Sequence, residues 1–283
     1  MLTLVMGSKG MLGQALMRAE NKNFEIKSCK RSDFDFTNEN KLFNFLDTNK
    51  PQIVINAAAN INLDYCESYP CEAQKINVDF VKNLSRWCSK NDSMLTHIST
   101  DHFYDYGADY AHDEDDKVVI LNEYARQKYA SEKIALQDKN SLVVRTSIIG
   151  YKYSKKLTFI EWILSTIKKK KEITGFKDAY TSSIDVDSFV DILLLSLEKE
   201  IIGTYNIGSS EVYSKYDLIE KIINTLNLPN IKLEASSVSE LETPRASCCG
   251  LNVKKIEEVL DIKMPSLTNI IKKLKIEENF NDI

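Results

Sequence analysis

Leu2-Thr3-Leu4-Val5-Met6-Gly7-Ser8-Lys9-Gly10-Met11-Leu12-Gly13 opens the chain. Its first five residues, mostly apolar, read as a short buried strand. Three of only nine glycines in the protein fall in the seven positions Gly7 to Gly13. Leu12, Ala15 and Leu16 then begin a helical spacing. A strand, a glycine turn and a helix N-terminus together make a cradle for a pyrophosphate. Glycine lets the backbone approach the ligand, and the free N–H groups of the helix meet the anion. The spacing is GxxGxxG rather than GxGxxG. A glycine motif by itself also fits a plain tight turn; its place at the first βα turn is what points to a nucleotide. Gly7, Gly10, Met11, Leu12 and Gly13 are the cofactor-binding candidates here.

Outward from this stretch the chain alternates. Phe24-Glu25-Ile26-Lys27-Ser28 reads as a second strand, with Cys29-Lys30-Arg31 after it. An acidic residue near this strand end would favour NAD, whereas a cation accommodates a 2′-phosphate. Lys30 and Arg31 therefore favour NADP(H), with NAD(H) left open and two solvated surface cations as the bland alternative. Asp33 to Thr37 leads into a helix capped by Thr37. Ile53-Val54-Ile55 is the third strand. It ends in Asn56-Ala57-Ala58-Ala59-Asn60, small residues against which a cofactor can lie. A long helix follows Pro70, with Ala73, Ile76, Phe80, Val81, Leu84 and Trp87 as its core stripe and Asn77 beside it as a structural hydrogen-bonder. Strands at Met94–Ile98 and Leu142–Val144 complete the series. The pattern predicts an α/β fold, a doubly wound parallel sheet (Rossmann-like), with a smaller, mostly helical C-terminal substrate domain. Residues 1–150 would bind the dinucleotide, with part of 176–210 returning to that domain, and residues 151–283 would bind the substrate.

His97 to Lys128 carries the chemistry. The strand ends in Ser99-Thr100-Asp101, an acidic, aromatic loop follows, and order resumes at Asn122 with a helix free of Gly and Pro. On that helix Tyr124 and Lys128 lie one turn apart on one face. An ammonium beside a phenol favours the ionised form, which suits a proton donor to a carbonyl oxygen. Thr100, at the strand's C-terminal end, could hydrogen-bond the same oxygen. The spacing Tyr-x-x-x-Lys is weak evidence, because it also occurs at Tyr129/Lys133 and Tyr151/Lys155. Tyr129 follows Tyr124 by five positions, so at ~100° per residue the two pairs cannot serve one site.

Composition excludes other classes. Hydrophobic content of 43% and charged content of 28% are those of an ordinary soluble globular protein. A net charge of -4 with mixed signs leaves no basic footprint for nucleic acid. No segment approaches a membrane span, and the N-terminus enters a strand with no basic lead, so a cytoplasmic location is expected. Six cysteines without a CxxC, and three histidines, provide no metal-ligand spacing; reduced thiols and no metal are expected.

The ordered set Gly7/Gly10/Gly13, Asn56-Ala57-Ala58, Asp64 with Glu67, Pro70, Ala73 and Asn77, His97-Ile98-Ser99-Thr100-Asp101, Tyr124-Ala125-Arg126-Gln127-Lys128 and Arg145-Thr146-Ser147 resembles the dTDP-4-dehydrorhamnose reductase family. These are extended short-chain dehydrogenases/reductases acting on nucleotide sugars, and the resemblance runs across nearly the whole chain. It implies that Gly7, Gly10 and Gly13 bind the pyrophosphate, that Asp35 and Phe36 lie near the adenine, and that Asn56, Ala57 and Ala58 line the cofactor. Thr100, Tyr124 and Lys128 would form the active site. Lys128 would hold the nicotinamide ribose, and Tyr124 would protonate the C4 oxygen of a 4-keto-6-deoxy nucleotide sugar as hydride arrives. A homodimer is also implied.

The departures fall on the sugar-nucleotide side. His102-Phe103-Tyr104-Asp105-Tyr106 stands where the family usually reads Tyr-Val-Phe-Asp-Gly. Ile148 replaces a typical tryptophan, and Thr243-Pro244 a usual Arg-Pro. Asp101, His102, Tyr104 and Ile148 are accordingly the substrate-contact candidates. Two alternatives remain beside the reductase. A nucleotide-sugar epimerase would need further acid/base groups, of which His102 could be one. A non-catalytic dinucleotide-binding regulatory subunit would not need Tyr124 and Lys128, yet both are intact. A 4,6-dehydratase would want an acid after Asp101, where His102 stands.

Overall fold

A computed structural model describes the chain except residues 31, 32, 34, 106–109, 153, 155, 171 and 283 and the side chains at 170, 281 and 282. The expectations for Arg31, Tyr106 and Lys155 therefore lie outside the described residues. The chain forms two compact units. The first comprises residues 1–100, 120–145 and 193–205; the second comprises 101–119, 146–192 and 206–283. The loop after Asp101 thus belongs to the second unit, which is comparable in length to the first.

The first unit is built on six strands: β1 (Leu2–Met6), β2 (Glu25–Cys29), β3 (Ile53–Asn56), β4 (Met94–Ile98), β5 (Ser141–Arg145) and β6 (Gly203–Asn206), in the order β6-β5-β4-β3-β1-β2. The pairings β1–β2, β1–β3, β3–β4 and β4–β5 are all parallel. Strands covered on both faces need apolar residues throughout. Leu4, Val5, Met6, Val54, Ile55, Leu95 and Leu142 to Val144 are accordingly buried. The edge strand β2 differs: Glu25 and Lys27 face solvent and discourage further pairing. Register aligns Met6 with Cys29 and Asn56, and Asn56 with His97, so these strand ends share one edge. The order reverses between β1 and β3, the switch point at which open parallel sheets take ligands.

Four helices of this unit matter for the site: α1 (Met11–Arg18), α2 (Glu39–Asn49), α3 (Phe80–Lys90) and α4 (Glu123–Ala135). In α3 the apolar spacing Phe80, Val81, Leu84, Trp87, Cys88 faces one core with Leu42, Leu46, Val54, Leu95 and Val143. Burial of each such aliphatic or aromatic side chain contributes about 1.5–3 kcal/mol. The expected stripe after Pro70 is present, but the helix is not uniform. Pro70–Gln74 and α3 are joined by a π-helical turn, Lys75–Asp79, that contains Asn77. The cap of α2 also differs from expectation. Asp35 takes both the amide and the hydroxyl of Thr37, and Asn38 accepts from the Lys41 amide instead. The cap moves one residue because Thr37's hydroxyl is already committed.

The second unit carries the helices Phe159–Lys170, Lys215–Thr225, Lys254–Leu260, Leu267–Lys273 and Ile276–Asp282 among short strands of two to five residues. Ile160, Ile163, Leu164, Ile167, Leu218 and Ile222, spaced by three and four, make its core. Ser214 and Asp217 close a capping box at the start of Lys215–Thr225.

Candidate active site

The glycine turn follows β1 directly. Gly7 and Ser8 donate their amides to the Cys29 carbonyl at 3.1 and 3.3 Å, and Gly10 donates to Gly7 at 2.9 Å. Gly7 adopts φ +85°, and a Cβ there would stand 3.0 Å from the Ala58 backbone. A Cβ on Gly13 would lie 2.4 Å from the Gly7 carbonyl oxygen, inside any contact distance. Bare backbone is therefore required at both places, where β1, β3 and α1 converge. Gly10 caps α1 without a side chain, so the first amides of the helix are left to an outside acceptor. Ala57 and Ala58 are half-buried beside this turn, and Asn56 is buried with Oδ1 accepting from the Ala58 amide at 3.2 Å. These groups fit a dinucleotide pyrophosphate.

At the end of β2, Lys30 is exposed, with its amide donating to the Asp33 carboxylate at 2.8 Å. Asp35 is exposed as well. Phe36 is the ring that the resemblance puts near the adenine. Its side chain is buried and stacks on Phe80 with centroids 4.9 Å apart. A ring so placed is part of the core of the first unit.

The proton-handling set lies on β4, its extension, and α4. Asn122 caps α4 by accepting from the Ala125 amide at 2.9 Å. Tyr124 and Lys128, one turn apart, both face inward: Tyr124 is 6% exposed and packs with Cys66 and Ala73, and Lys128 is 1% exposed. Lys128 Nζ donates to the Ile98 carbonyl at 2.7 Å and stands 3.2 Å from His97 Nε2. Burial pushes the Lys128 amine down to about 8, with the Glu132 carboxylate pulling the other way. Thr100, two residues past β4, is buried too. Tyr129 and Lys133 make a separate pair, with the ammonium 4.3 Å over the ring. One helix thus uses the same spacing twice, once inward and once as a cation–π contact.

Several residues escaped the sequence reading. His97 is fully buried, with Nδ1 3.2 Å from Asn56 Nδ2 and Nε2 3.0 Å from Ser131 Oγ. Burial, and the neighbouring Lys128 charge, hold this imidazole well below its usual range, so it is neutral. A histidine inside an apolar strand run was the available signal. Asn77, by contrast, was expected as a structural hydrogen-bonder, and it donates to the Asn60 carbonyl and to Gln127 Oε1, both at 3.0 Å, which ties the loop after β3 to α4. Glu132 and Arg145 form a buried bidentate pair, 2.9 to 3.2 Å, fastening α4 to β5.

The substrate candidates lie in the second unit. Asp101 is buried and accepts from Thr181 Oγ1 at 3.3 Å, and His102 Nε2 is 3.9 Å from its other oxygen. Burial lowers the His102 pKa despite Asp101, and Lys215 and Arg245 add to the fall. Lys215, unmarked in the sequence, donates to Ser183 Oγ at 3.3 Å and lies over the Phe159 ring. Ile148 is partly exposed in a short pairing with Ile184. Tyr104, the remaining substrate-contact candidate, is placed inward. It is fully buried, stacks on His112 at 4.3 Å and donates its hydroxyl to the Asp113 carbonyl at 3.0 Å. The Tyr104 ring turns inward, where its stack on His112 covers it. Among the described residues, no group of three His, Cys, Asp or Glu side chains could hold a metal ion.

A doubly wound parallel sheet with a glycine turn at its switch point and an inward Tyr-x-x-x-Lys pair at its C-terminal edge defines a Rossmann-like protein of the reductase type. More narrowly, the chain belongs to the family described as the RmlD substrate binding domain, which matches residues 1–278. It is 27% identical over 305 residues to the probable low-salt glycan biosynthesis reductase Agl14 of Haloferax volcanii, covering 100% of this chain and 99% of that protein. It is 24% identical to the dTDP-4-dehydrorhamnose reductase of Aggregatibacter actinomycetemcomitans, covering 96% and 97%. In fold it is similar to the Bacillus anthracis dTDP-4-dehydrorhamnose reductase solved in complex with NADP, at TM-score 0.89 and 22% identity, covering 98% and 99%.

Proposed function

We propose that this protein is an NADPH-dependent reductase of the C4 keto group of a nucleotide-activated 4-keto-6-deoxy sugar, acting in deoxysugar or polysaccharide biosynthesis. The observation that carries the reading is the buried Lys128 one turn from the buried Tyr124, at the strand ends that also hold the glycine turn. The first unit is read as the dinucleotide domain and the second as the nucleotide-sugar domain. Gly7, Gly10 and Gly13, with the first amides of α1, would hold the pyrophosphate; Asn56 to Ala58 would lie along the dinucleotide. Lys30 favours a 2′-phosphate, hence NADP(H) over NAD(H). The bound reduced nicotinamide supplies the hydride.

The residues of the chain supply the rest. Tyr124 donates its phenolic proton to the C4 oxygen as the carbonyl becomes an alkoxide, so that ketone, hydride and proton balance to the alcohol. Thr100 hydrogen-bonds the same oxygen, and the Lys128 ammonium favours loss of the phenolic proton. Asp101, His102 and Ile148 are the sugar-side candidates. A cytoplasmic location and a homodimer belong to this reading. Among the described residues, no helix is long and apolar enough to cross a membrane. The epimerase and regulatory-subunit alternatives are not favoured, because the relatives with printed activities are reductases. The test is NADPH consumption with dTDP-4-keto-6-deoxy sugars. Turnover that falls by a factor of about 10²–10⁴ in Tyr124→Phe is expected. A folded wild-type chain inert toward every 4-keto nucleotide sugar would refute the assignment.

A further inference from the structure

The hydrogen bonds around His97 leave it one neutral form. Asn56 Oδ1 accepts from the Ala58 amide, which fixes the amide's orientation and turns Nδ2, a donor, toward His97 Nδ1. Nδ1 must therefore present a lone pair. On the other side, Ser131 gives its only hydroxyl hydrogen to the Lys128 carbonyl at 2.8 Å. Its oxygen can only accept from His97 Nε2, 3.0 Å away. Two independent constraints thus demand the same arrangement, with hydrogen on Nε2 and none on Nδ1.

That arrangement has a consequence for Lys128, whose Nζ lies 3.2 Å from the same Nε2. An ammonium beside an N–H finds no lone pair there, whereas a neutral amine loses nothing by it. We infer that His97, locked between Asn56 and Ser131, is a positioning residue that withholds a lone pair from Lys128 and so makes the lysine's charge easy to lose. To hold the ammonium through His97, the ring would need its hydrogen on Nδ1, and the Asn56 and Ser131 bonds would both break. The Ile98 carbonyl, at 2.7 Å, is the acceptor that serves the charged form. The other ionisable groups here are Tyr124 and Glu132 on α4 and Arg145 on β5. Glu132 is engaged by Arg145, and the π turn meets α4 with the amide of Asn77. The depressed Lys128 and the neutral His97 agree with this geometry. A lysine of this kind can exchange its proton during turnover instead of standing as a fixed charge. That consequence rests on the reductase reading; the ring's tautomer does not.

The test is nitrogen-15 NMR of the His97 ring in the full-length chain, with carbon-13 titration of Lys128 Cε. Hydrogen on Nε2 across neutral pH is expected, with Lys128 titrating at about 8. In His97→Gln, whose amide oxygen can turn to Nζ, Lys128 should titrate about one pH unit higher or more. Asn56→Asp, whose carboxylate accepts from Nδ1–H, should reverse the tautomer and raise Lys128 likewise. Hydrogen on Nδ1 in the wild-type chain, or a Lys128 titration unmoved by both substitutions, overturns the inference. The wild-type ring decides the tautomer even where a variant misfolds. If the ring and lysine behave as expected but no keto sugar is reduced, the reductase reading fails and this one stands.

Discussion

At the scale of single residues, two positions carry most of the predictive weight. Gly13 sits where any Cβ would meet the Gly7 carbonyl at 2.4 Å, so Gly13→Ala must displace α1 from the turn. Overpacking of this kind costs about 1–3 kcal/mol. The expected outcome is a lowered melting temperature together with lost NADPH binding, read by thermal denaturation and cofactor fluorescence. Lys128 is the second. Burial lowers its amine from 10.5 to about 8, so the unfolded chain binds that proton more tightly. Below the folded value the cost of the buried ammonium is present in full. Between the two values stability rises with pH, and above 10.5 the cost is gone. Lys128→Met should therefore be more stable than wild type in urea at about pH 7, with the gap closing by about pH 10. Reduction, which consumes a proton, should fall as pH rises through about 8.

At the scale of elements, α4 is held at three points. Asn122 caps its start, Gln127 receives Asn77 in its middle, and Glu132 grips Arg145 near its end. Asn122→Ala is expected to cost about 1 kcal/mol in urea denaturation, because it frees the Ala125 amide. Tyr124 lies just past that cap, so kcat should fall as well. Glu132→Gln leaves Arg145 without its buried counter-charge, which costs about 3–5 kcal/mol by the same measurement. The helix and its two inward residues were legible in the sequence, because spacing and composition are local. The π turn at Asn77 was not: nothing in Lys75-Ile76-Asn77-Val78-Asp79 announces it. It arises where Asn77 reaches the loop after β3 and Gln127, partners seventeen and fifty residues away. π turns of this kind are frequent at functional sites.

At the scale of the whole molecule, the proposed division of labour between the two units predicts where ligand protection appears. NADPH at saturating concentration should slow amide exchange at Gly7–Gly13 and Asn56–Ala58 and, by mass action, stabilise the fold by about 2.7 kcal/mol at a hundredfold excess over Kd, which raises the melting temperature. Hydrogen-exchange mass spectrometry checks this, and unchanged exchange at both stretches would contradict the cradle. The sequence by itself determined the strand–turn–helix alternation, the parallel sheet, the glycine cradle and the Tyr124–Lys128 face. Each is written in local periodicity or in residue types that only one backbone geometry accepts. Tertiary structure alone decided that Phe36 and Tyr104 are core rings, that the loop after Asp101 joins the second unit, and that His97 stands between Asn56 and Lys128. Those outcomes depend on side chains brought together from distant strands and helices, and no spacing along the chain encodes which of them will meet.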